Sequence, residues 1–412
     1  MSEDFREFLQ RSRLGAYLKA FEELKVTTLE QLSKDFDKLS SQARMKLGHK
    51  KKLQRMLQSK ENPDSKLTSP PRVKKQEALS RWDFELSKTL KSTLFGKVKY
   101  GVRRSDLRPV AVKITDKARA GRSETIENPG EEARIMCHLG SDSEDTCHEN
   151  LLRLIGVVED HQILWTILDF ADEGELFAHV TKGIGFGDEK SVQTLFGQIV
   201  RGVHHMHHCD VAHLDLSLEN VLLQRCPKTK NLIPKICDFG MARKVDKSGP
   251  GSVIDGEVYR PGKFLYMAPE VFRGETYCPK AADVYSLGVM LFMLLTGVPP
   301  YTTPESCDQR FHMLSDGSQL GVEALLRACK KVEVGTPVAS REVIDMLSYM
   351  LCPASKRYSL KEILSHPFLR EKDPKSPKLK IDVNDILSLS PREEGKTPSV
   401  QGTAGLLPLN QG

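Results

Sequence analysis

Three polar blocks stand in fixed order in the middle of the chain, and no other feature restricts its fold as much. They are His213-Leu214-Asp215-Leu216-Ser217-Leu218-Glu219-Asn220, then Asp238-Phe239-Gly240, then Ala268-Pro269-Glu270. Asn220 and Asp238 supply hard oxygen donors, which suit Mg²⁺ and its preference for carboxylate, carbonyl and phosphate oxygens. A fold that serves these blocks must bring distant loops to one place.

The chain is long enough to do so. Its 412 residues, 39% hydrophobic and 28% charged, are ordinary globular material for two or three domains. No apolar run approaches the ~18 residues of a bilayer span, and the start, Met1-Ser2-Glu3-Asp4-Phe5, lacks the apolar core of a signal peptide. Nine cysteines without a close pair suit reduced thiols. The expected location is therefore the cytoplasm, with the nucleus as the alternative. The net charge of +6 is carried by residues 1–60, where fourteen Lys/Arg face eight Asp/Glu. A basic partner-binding face is accordingly expected there.

Periodicity divides the chain. In residues 1–59 the apolar positions Phe5, Phe8, Leu9, Leu14, Tyr17, Leu18, Phe21, Leu29 and Leu32, then Met45 to Leu57, follow helical spacing. Residues 60–80, with Pro63, Pro70 and Pro71, predict a linker. Residues 81–370 hold the three blocks, and 371–412 are too polar and proline-rich to order themselves. Ser69, Ser376, Ser390 and Thr397, each before proline, fit either proline-directed phosphorylation or the ordinary composition of disordered segments.

Residues 81–370 resemble a eukaryotic protein kinase of the serine/threonine type, the blocks matching its catalytic loop, metal-binding loop and activation-segment end. The resemblance implies a two-lobed α+β fold, ATP and Mg²⁺ as cofactors and proteins as substrates. Phosphoryl transfer asks little covalent chemistry of a protein, so positioning is the task. Asp215 would accept the substrate hydroxyl's proton, with Asn220 and Asp238 holding metal. Val110-Ala111-Val112-Lys113-Ile114 reads as a strand whose Lys113 binds phosphates and pairs with a helix glutamate. Glu132 fits that partner best, and Glu131 is one position away. The resemblance places Leu90, Gly96, Val98, Ala111, Leu168 and Leu222 around the nucleotide, with hinge contacts from the backbone of Asp169 and Ala171 and a ribose contact from Glu175. It also implies a Glu270–Arg357 ion pair and an anchoring role for Asp283. Glu175 and Glu219 lie where some kinases read arginine upstream of the target.

Residues 1–59 resemble a SAM domain, an all-α bundle of five helices, in Phe8-Leu9, Leu14, Tyr17, Phe21 and Leu47 to Leu53. That implies self-association or hetero-association; acidic Glu22, Glu23, Asp35 and Asp37 precede basic Lys50 to Arg55.

The kinase-like part departs from its pattern at several points. Lys91 and Thr93 occupy the first two glycine positions of the phosphate loop, leaving Gly96 alone, so weaker ATP binding is expected. Lys91 fits either a solvated lysine or one that partly compensates by charge. Leu214 replaces the arginine that receives an activation-loop phosphate, which makes control by such a phosphate less expected. Ser248, Ser252 and Tyr259 remain candidate phosphosites or ordinary loop residues. Ser217 replaces a lysine, while Lys263 stands where the pattern has threonine, as if hydroxyl and ammonium had exchanged places. Lys263 is then expected to reach the active site with Ser217 as its partner. Cys237 is either an inert buried cysteine or a thiolate favoured by Lys113, and the histidines at 204, 205, 207 and 208 read as a helix end rather than a metal site. Two rival readings exist: a scaffold of kinase fold without catalysis, and an RNA- or membrane-binding face at Lys46 to Arg55. Stacking aromatics are not interleaved there, so nucleic-acid binding is not expected.

Overall fold

Strand-forming residues are concentrated between Phe84 and Asp169, and there the chain builds one sheet. The computed structural model describes residues 84–370, apart from 123–127, 141–146, 181–184, 246–252, 257–258, 306, 315–316 and 331–337. Before residue 84 it describes 6, 17–28, 31–32, 38–39, 43 and 72–73. The chain divides into two units, Met1–Leu67 and Thr68–Gly412.

In the first unit, α1 (Leu18–Glu23) buries Phe21, and Val26, Leu32 and Ala43 are also buried. Arg6 pairs with Glu22 at 2.8 Å, so one of the acidic residues expected to serve association is engaged within its own unit. Asp35, Asp37, Lys46 to Arg55 and the Ser-Pro and Thr-Pro positions lie outside the described residues.

The sheet of the second unit comprises β1 (Arg72–Val73), β2 (Phe84–Thr93), β3 (Gly96–Arg103), β4 (Pro109–Asp116), β5 (Leu154–Glu159) and β6 (Ile163–Asp169). Their order is β1-β5-β6-β4-β3-β2. Central β4 sets its face by alternation. Val110 and Val112 pack with Val158 and Ile167 in one small core, which sends Lys113 to the opposite face. Two of the expected linker residues depart from the reading: Arg72 and Val73 pair in parallel with Val157 and Val158. The edge of β5 offers unpaired backbone groups to any extended segment, and pairing needs no apolar periodicity that a sequence could display.

Beside the sheet lie α2 (Lys117–Arg122) and α3 (Pro129–His138). Asn128 caps α3 by accepting from Gly130 N and Glu131 N at 3.1 and 3.3 Å, and Pro129 takes the first turn, where a missing N–H costs nothing.

The second lobe is helical: α4 (Glu189–His208), α5 (Pro269–Phe272), α6 (Pro279–Thr296), α7 (Gln309–His312), α8 (Gln319–Lys330), α9 (Arg341–Met350) and α10 (Leu360–Ser365). Asp188 starts α4 by accepting from Ser191 N at 2.6 Å. One face of α4 buries Val192, Leu195, Phe196, Ile199, Val200, Val203 and Met206. Each such side chain stabilises the fold by roughly 1.5–3 kcal/mol relative to exposure. Helix α6 is the one described helix long and apolar enough to cross a bilayer, which the sequence reading did not single out; 83% of it is buried in the protein, as in a core helix.

Arg357, whose side chain is fully buried, joins the end of α5's first turn to the lobe. It donates to Glu270 at 2.7 and 3.2 Å and to the carbonyls of Ala281 and Cys352 at 2.9 Å, while its guanidinium lies 4.9 Å from the Tyr285 ring. Glu270→Ala leaves this cation buried without its anion and is expected to cost about 3–5 kcal/mol. Thermal unfolding of the full chain checks it; a melting temperature equal to wild type would contradict the assignment.

Candidate active site

The site forms where the sheet's inner face meets two loops of the helical lobe. Lys113, projected from β4, donates to both oxygens of Glu132 at 2.9 and 2.8 Å and lies 3.6 Å from Asp238 Oδ1. Capping of α3 sets the register that turns Glu132 inward, leaving Glu131 outside in an ion pair with Arg134 at 2.9 Å. Burial pushes the Glu132 carboxyl up, against the pull of Lys113. For Asp238, burial also opposes the charge, but the Lys113 ammonium, with Lys263 and Lys91, outweighs it and holds the carboxyl below its ordinary range.

The loop His213–Asn220 is built on one carboxylate. Asp283 of α6, 1% exposed, accepts from His213 N and Leu214 N at 2.8 Å each and meets His207 Nε2 at 2.9 Å. Leu214 sits at φ +64°, a left-handed conformation that costs an ordinary residue about 1–2 kcal/mol. The paired bonds to Asp283 hold it there. His213 Nδ1 accepts from Asp215 N at 3.2 Å, which leaves Nε2 protonated and donating to Cys237 O at 3.1 Å. Asn220 Nδ2 donates to Asp215 O and Oδ2, both at 2.7 Å. Two acceptors fix the amide's orientation and turn its oxygen to the other side. Asp215 Oδ1 is buried with no hydrogen-bond partner among protein atoms, so the carboxylate keeps an unused acceptor.

These donors fit Mg²⁺. Asp238 provides a carboxylate held ionised and half exposed at the mouth of the cleft, and Asn220 provides an amide oxygen whose nitrogen is already committed to Asp215. Both are hard ligands of the kind a phosphate-bound Mg²⁺ uses.

Around the cleft, Val98 pairs with Lys113 across β3 and β4, Ala111 with Leu168 across β4 and β6, and Glu175 bridges Leu222. Leu90 lies on the exposed edge strand β2, and Ala171 is buried. The Asp169 carboxylate is held by Arg153 at 3.0 Å, and its backbone N–H donates to Arg153 O. Lys91 is exposed and ion-paired at once: its side chain is 62% exposed, and its Nζ lies 2.6 Å from Glu175 Oε1, the residue expected at the ribose. Burial works against the Lys91 charge, yet Glu175 outweighs it and raises the pKa. Gly96 has a reason unrelated to phosphate. A Cβ there would fall 1.9 Å from Ile114 O, so the glycine is required by the packing of β3 on β4.

Lys263 extends from the segment before Ala268 so that its Nζ donates to Ser217 Oγ at 2.9 Å and to Asp215 Oδ2 at 3.2 Å. Two alternatives left open by the sequence are decided here. Burial pushes the Cys237 thiol far up and outweighs Lys91 and Lys113, so the thiolate reading is dropped. Tyr259 is a poor acceptor of phosphate because it is 9% exposed, its hydroxyl donates to Met241 O at 2.7 Å, and Arg243 covers its ring at 4.6 Å. Ser248 and Ser252 lie outside the described residues. Among the described residues no His/Cys/Asp/Glu group is arranged to hold a metal by itself; His205 instead stacks beside His148 at 5.1 Å. Sequence reasoning missed His213 and the Arg243–Tyr259 stack. Both lie beside the blocks, but only their partners, Cys237 O and Met241 O, reveal what they do.

Comparison with known proteins agrees with this geometry. The protein kinase domain family model matches residues 84–369. The SNF-related serine/threonine-protein kinase of Rattus norvegicus is 32% identical over 301 residues, 73% of this chain and 36% of that protein. Its Homo sapiens counterpart is equally similar, covering 73% and 35%. The serine/threonine-protein kinase SIK1 of Mus musculus is 32% identical over 229 residues, 54% and 26% of the two chains. The matched region spans about a third or less of the length of these relatives. With the family model covering well over half of the chain, and its three blocks converging on one cleft, the chain belongs to the protein kinase domain family.

Proposed function

We propose that this chain transfers the γ-phosphoryl group of Mg·ATP to serine or threonine hydroxyls of protein substrates. The observation that carries the reading is the convergence of Lys113, Glu132 and Asp238 on one side of the cleft with Asp215 and Asn220 on the other. Mg²⁺, bound with the triphosphate, would neutralise charge on the phosphates. Glu132 fixes the Lys113 ammonium at the cleft, where it would meet the phosphates of a bound nucleotide. Asn220 holds the Asp215 carboxylate still, and its unused oxygen offers an acceptor for the hydroxyl proton. The relatives named serine/threonine-protein kinases support the choice of hydroxyl.

The Lys91–Glu175 pair favours a second reading, a binding scaffold of kinase fold, because it ties the phosphate loop to the ribose side of the cleft. The two readings separate on one assay. Wild type should phosphorylate a generic basic protein with Mg·ATP. Asp215→Asn, Lys113→Met and Asp238→Ala should each lose transfer by at least about a hundredfold while folding normally. Equal incorporation by wild type and all three variants would rule out the site.

We further propose that residues 1–59 form a SAM-like domain for self-association or partner binding, and that the protein works in the cytoplasm. Nine free thiols are compatible with that compartment. The pair at the cleft mouth gives a separate prediction. Lys91→Gly with Thr93→Gly frees Glu175 and lets loop amides approach phosphate, tightening Mg·ATP by on the order of 1 kcal/mol, about fivefold. Calorimetric titration checks it, and unchanged or weaker binding would show that the pair does not compete with nucleotide.

A further inference from the structure

The contact between Lys263 and Ser217 joins two segments that are 46 positions apart and meets the Asp215 carboxylate directly. Local structure explains how Lys263 arrives there. Gly262 sits at φ +96°, and a Cβ on it would fall 2.8 Å from Leu214 O. Glycine therefore lets the segment lie directly on the loop that carries Asp215. Lys263 follows in extended conformation, φ −86° and ψ 132°, before the helical turn Phe264–Tyr266. The hydroxyl of Tyr266 then accepts from Leu218 N at 3.4 Å, and Ser286 Oγ donates to Tyr266 O at 2.8 Å. Both sides of the lysine are thus docked.

A structural role does not account for this arrangement. The Lys263 side chain is 40% exposed, and an ion pair of that exposure contributes only about 0–1 kcal/mol. Ser217 is fully buried, and its hydroxyl accepts from this ammonium. A lysine that only covered the surface would have no need of a buried partner beside the catalytic carboxylate. Two of its three N–H donors are used by Ser217 and Asp215, which leaves one directed by the other two.

We propose that Lys263 is a catalytic residue whose ammonium donates to the phosphoryl group in transfer, with Ser217 as its positioning residue. The proposal rests on the kinase reading above. In the transfer, a bond forms between the substrate hydroxyl oxygen and the γ-phosphorus, and the bond from that phosphorus to the β-phosphate oxygen breaks. The hydroxyl proton passes to Asp215, ADP leaves with the electron pair, and Lys263 keeps its protons throughout. Charge spread over the transferring oxygens is what the ammonium offsets. Because this cation is carried by the activation segment, displacing that segment withdraws a catalytic donor together with the substrate-facing surface.

The test uses the full chain. Lys263→Met should lower kcat by about a hundredfold to a thousandfold, leave the melting temperature unchanged, and weaken Mg·AMP-PNP binding more than Mg·ADP binding. Ser217→Ala should lower kcat with little change in KM for ATP. Lys263→Thr combined with Ser217→Lys should recover at least about tenfold of the turnover that Lys263→Thr loses, a non-additivity expected of one shared function. If Ser217→Lys fails to fold, Lys263→Arg takes its place and should retain most of the turnover that Lys263→Met loses. A fully active Lys263→Met, equal weakening of the two nucleotides, or strictly additive losses in a folded double variant would overturn the proposal. A wild-type chain without transfer activity would defeat the kinase reading instead. The difference between the two nucleotides would still decide whether Lys263 meets the γ-phosphate.

Discussion

The active centre depends on one buried carboxylate. Asp283 accepts from two consecutive backbone amides, His213 and Leu214, and burial of such a charge is sustained only by hydrogen bonds of that kind. Its position near the start of α6 ties the loop to the best-buried helix of the lobe. From there the bonds run outward: Asp215 N to His213 Nδ1, His213 Nε2 to Cys237 O, Cys237 N to Asn220 O at 2.9 Å, and Asn220 Nδ2 back to Asp215. The ring closes on the two loops that carry the reactive oxygens. Each member of the ring comes from His213–Asn220, Cys237 or Asp283, so it closes within those elements.

That independence explains how a leucine can stand at position 214. An arginine there would offer a cation for a phosphate on the activation segment, whereas Leu214 is buried in the main apolar core. The segment is held by other means. Tyr259 bonds Met241 O under the Arg243 guanidinium, Tyr277 Oη donates to Tyr259 O at 3.2 Å, and Ile254–Asp255 pair with Thr276–Tyr277. Lys263 adds a contact to Asp215 itself. A lysine of the segment thus reaches the loop that carries Asp215.

Much of this was legible in the sequence because it is local or motif-bound. The alternation Val110 to Ile114 fixed the face of Lys113, and the choice between Glu131 and Glu132 awaited the cap at Asn128, which decides which carboxylate turns inward. The geometry at Lys263 and Ser217 followed the exchange read from the chain. Other features were illegible for physical reasons. Gly96 reads as a phosphate-loop glycine, yet its constraint is Ile114 O on another strand. The 2.6 Å pair of the exposed Lys91 with Glu175 joins residues far apart in sequence, so nothing local announces it. Strand β1 is two residues long, too short for any alternation to show in the sequence.

The central claim is that the catalytic centre is assembled by the chain's own carboxylates and amides without an activation-segment phosphate. The direct measurement is Mg·ATP phosphoryl transfer to a protein substrate by the full chain after exhaustive phosphatase treatment, with removal of every phosphate verified by mass spectrometry. Initial rates should equal those of the untreated protein from the first time point. A lag, or a rate at background until the chain is phosphorylated again, would contradict the account.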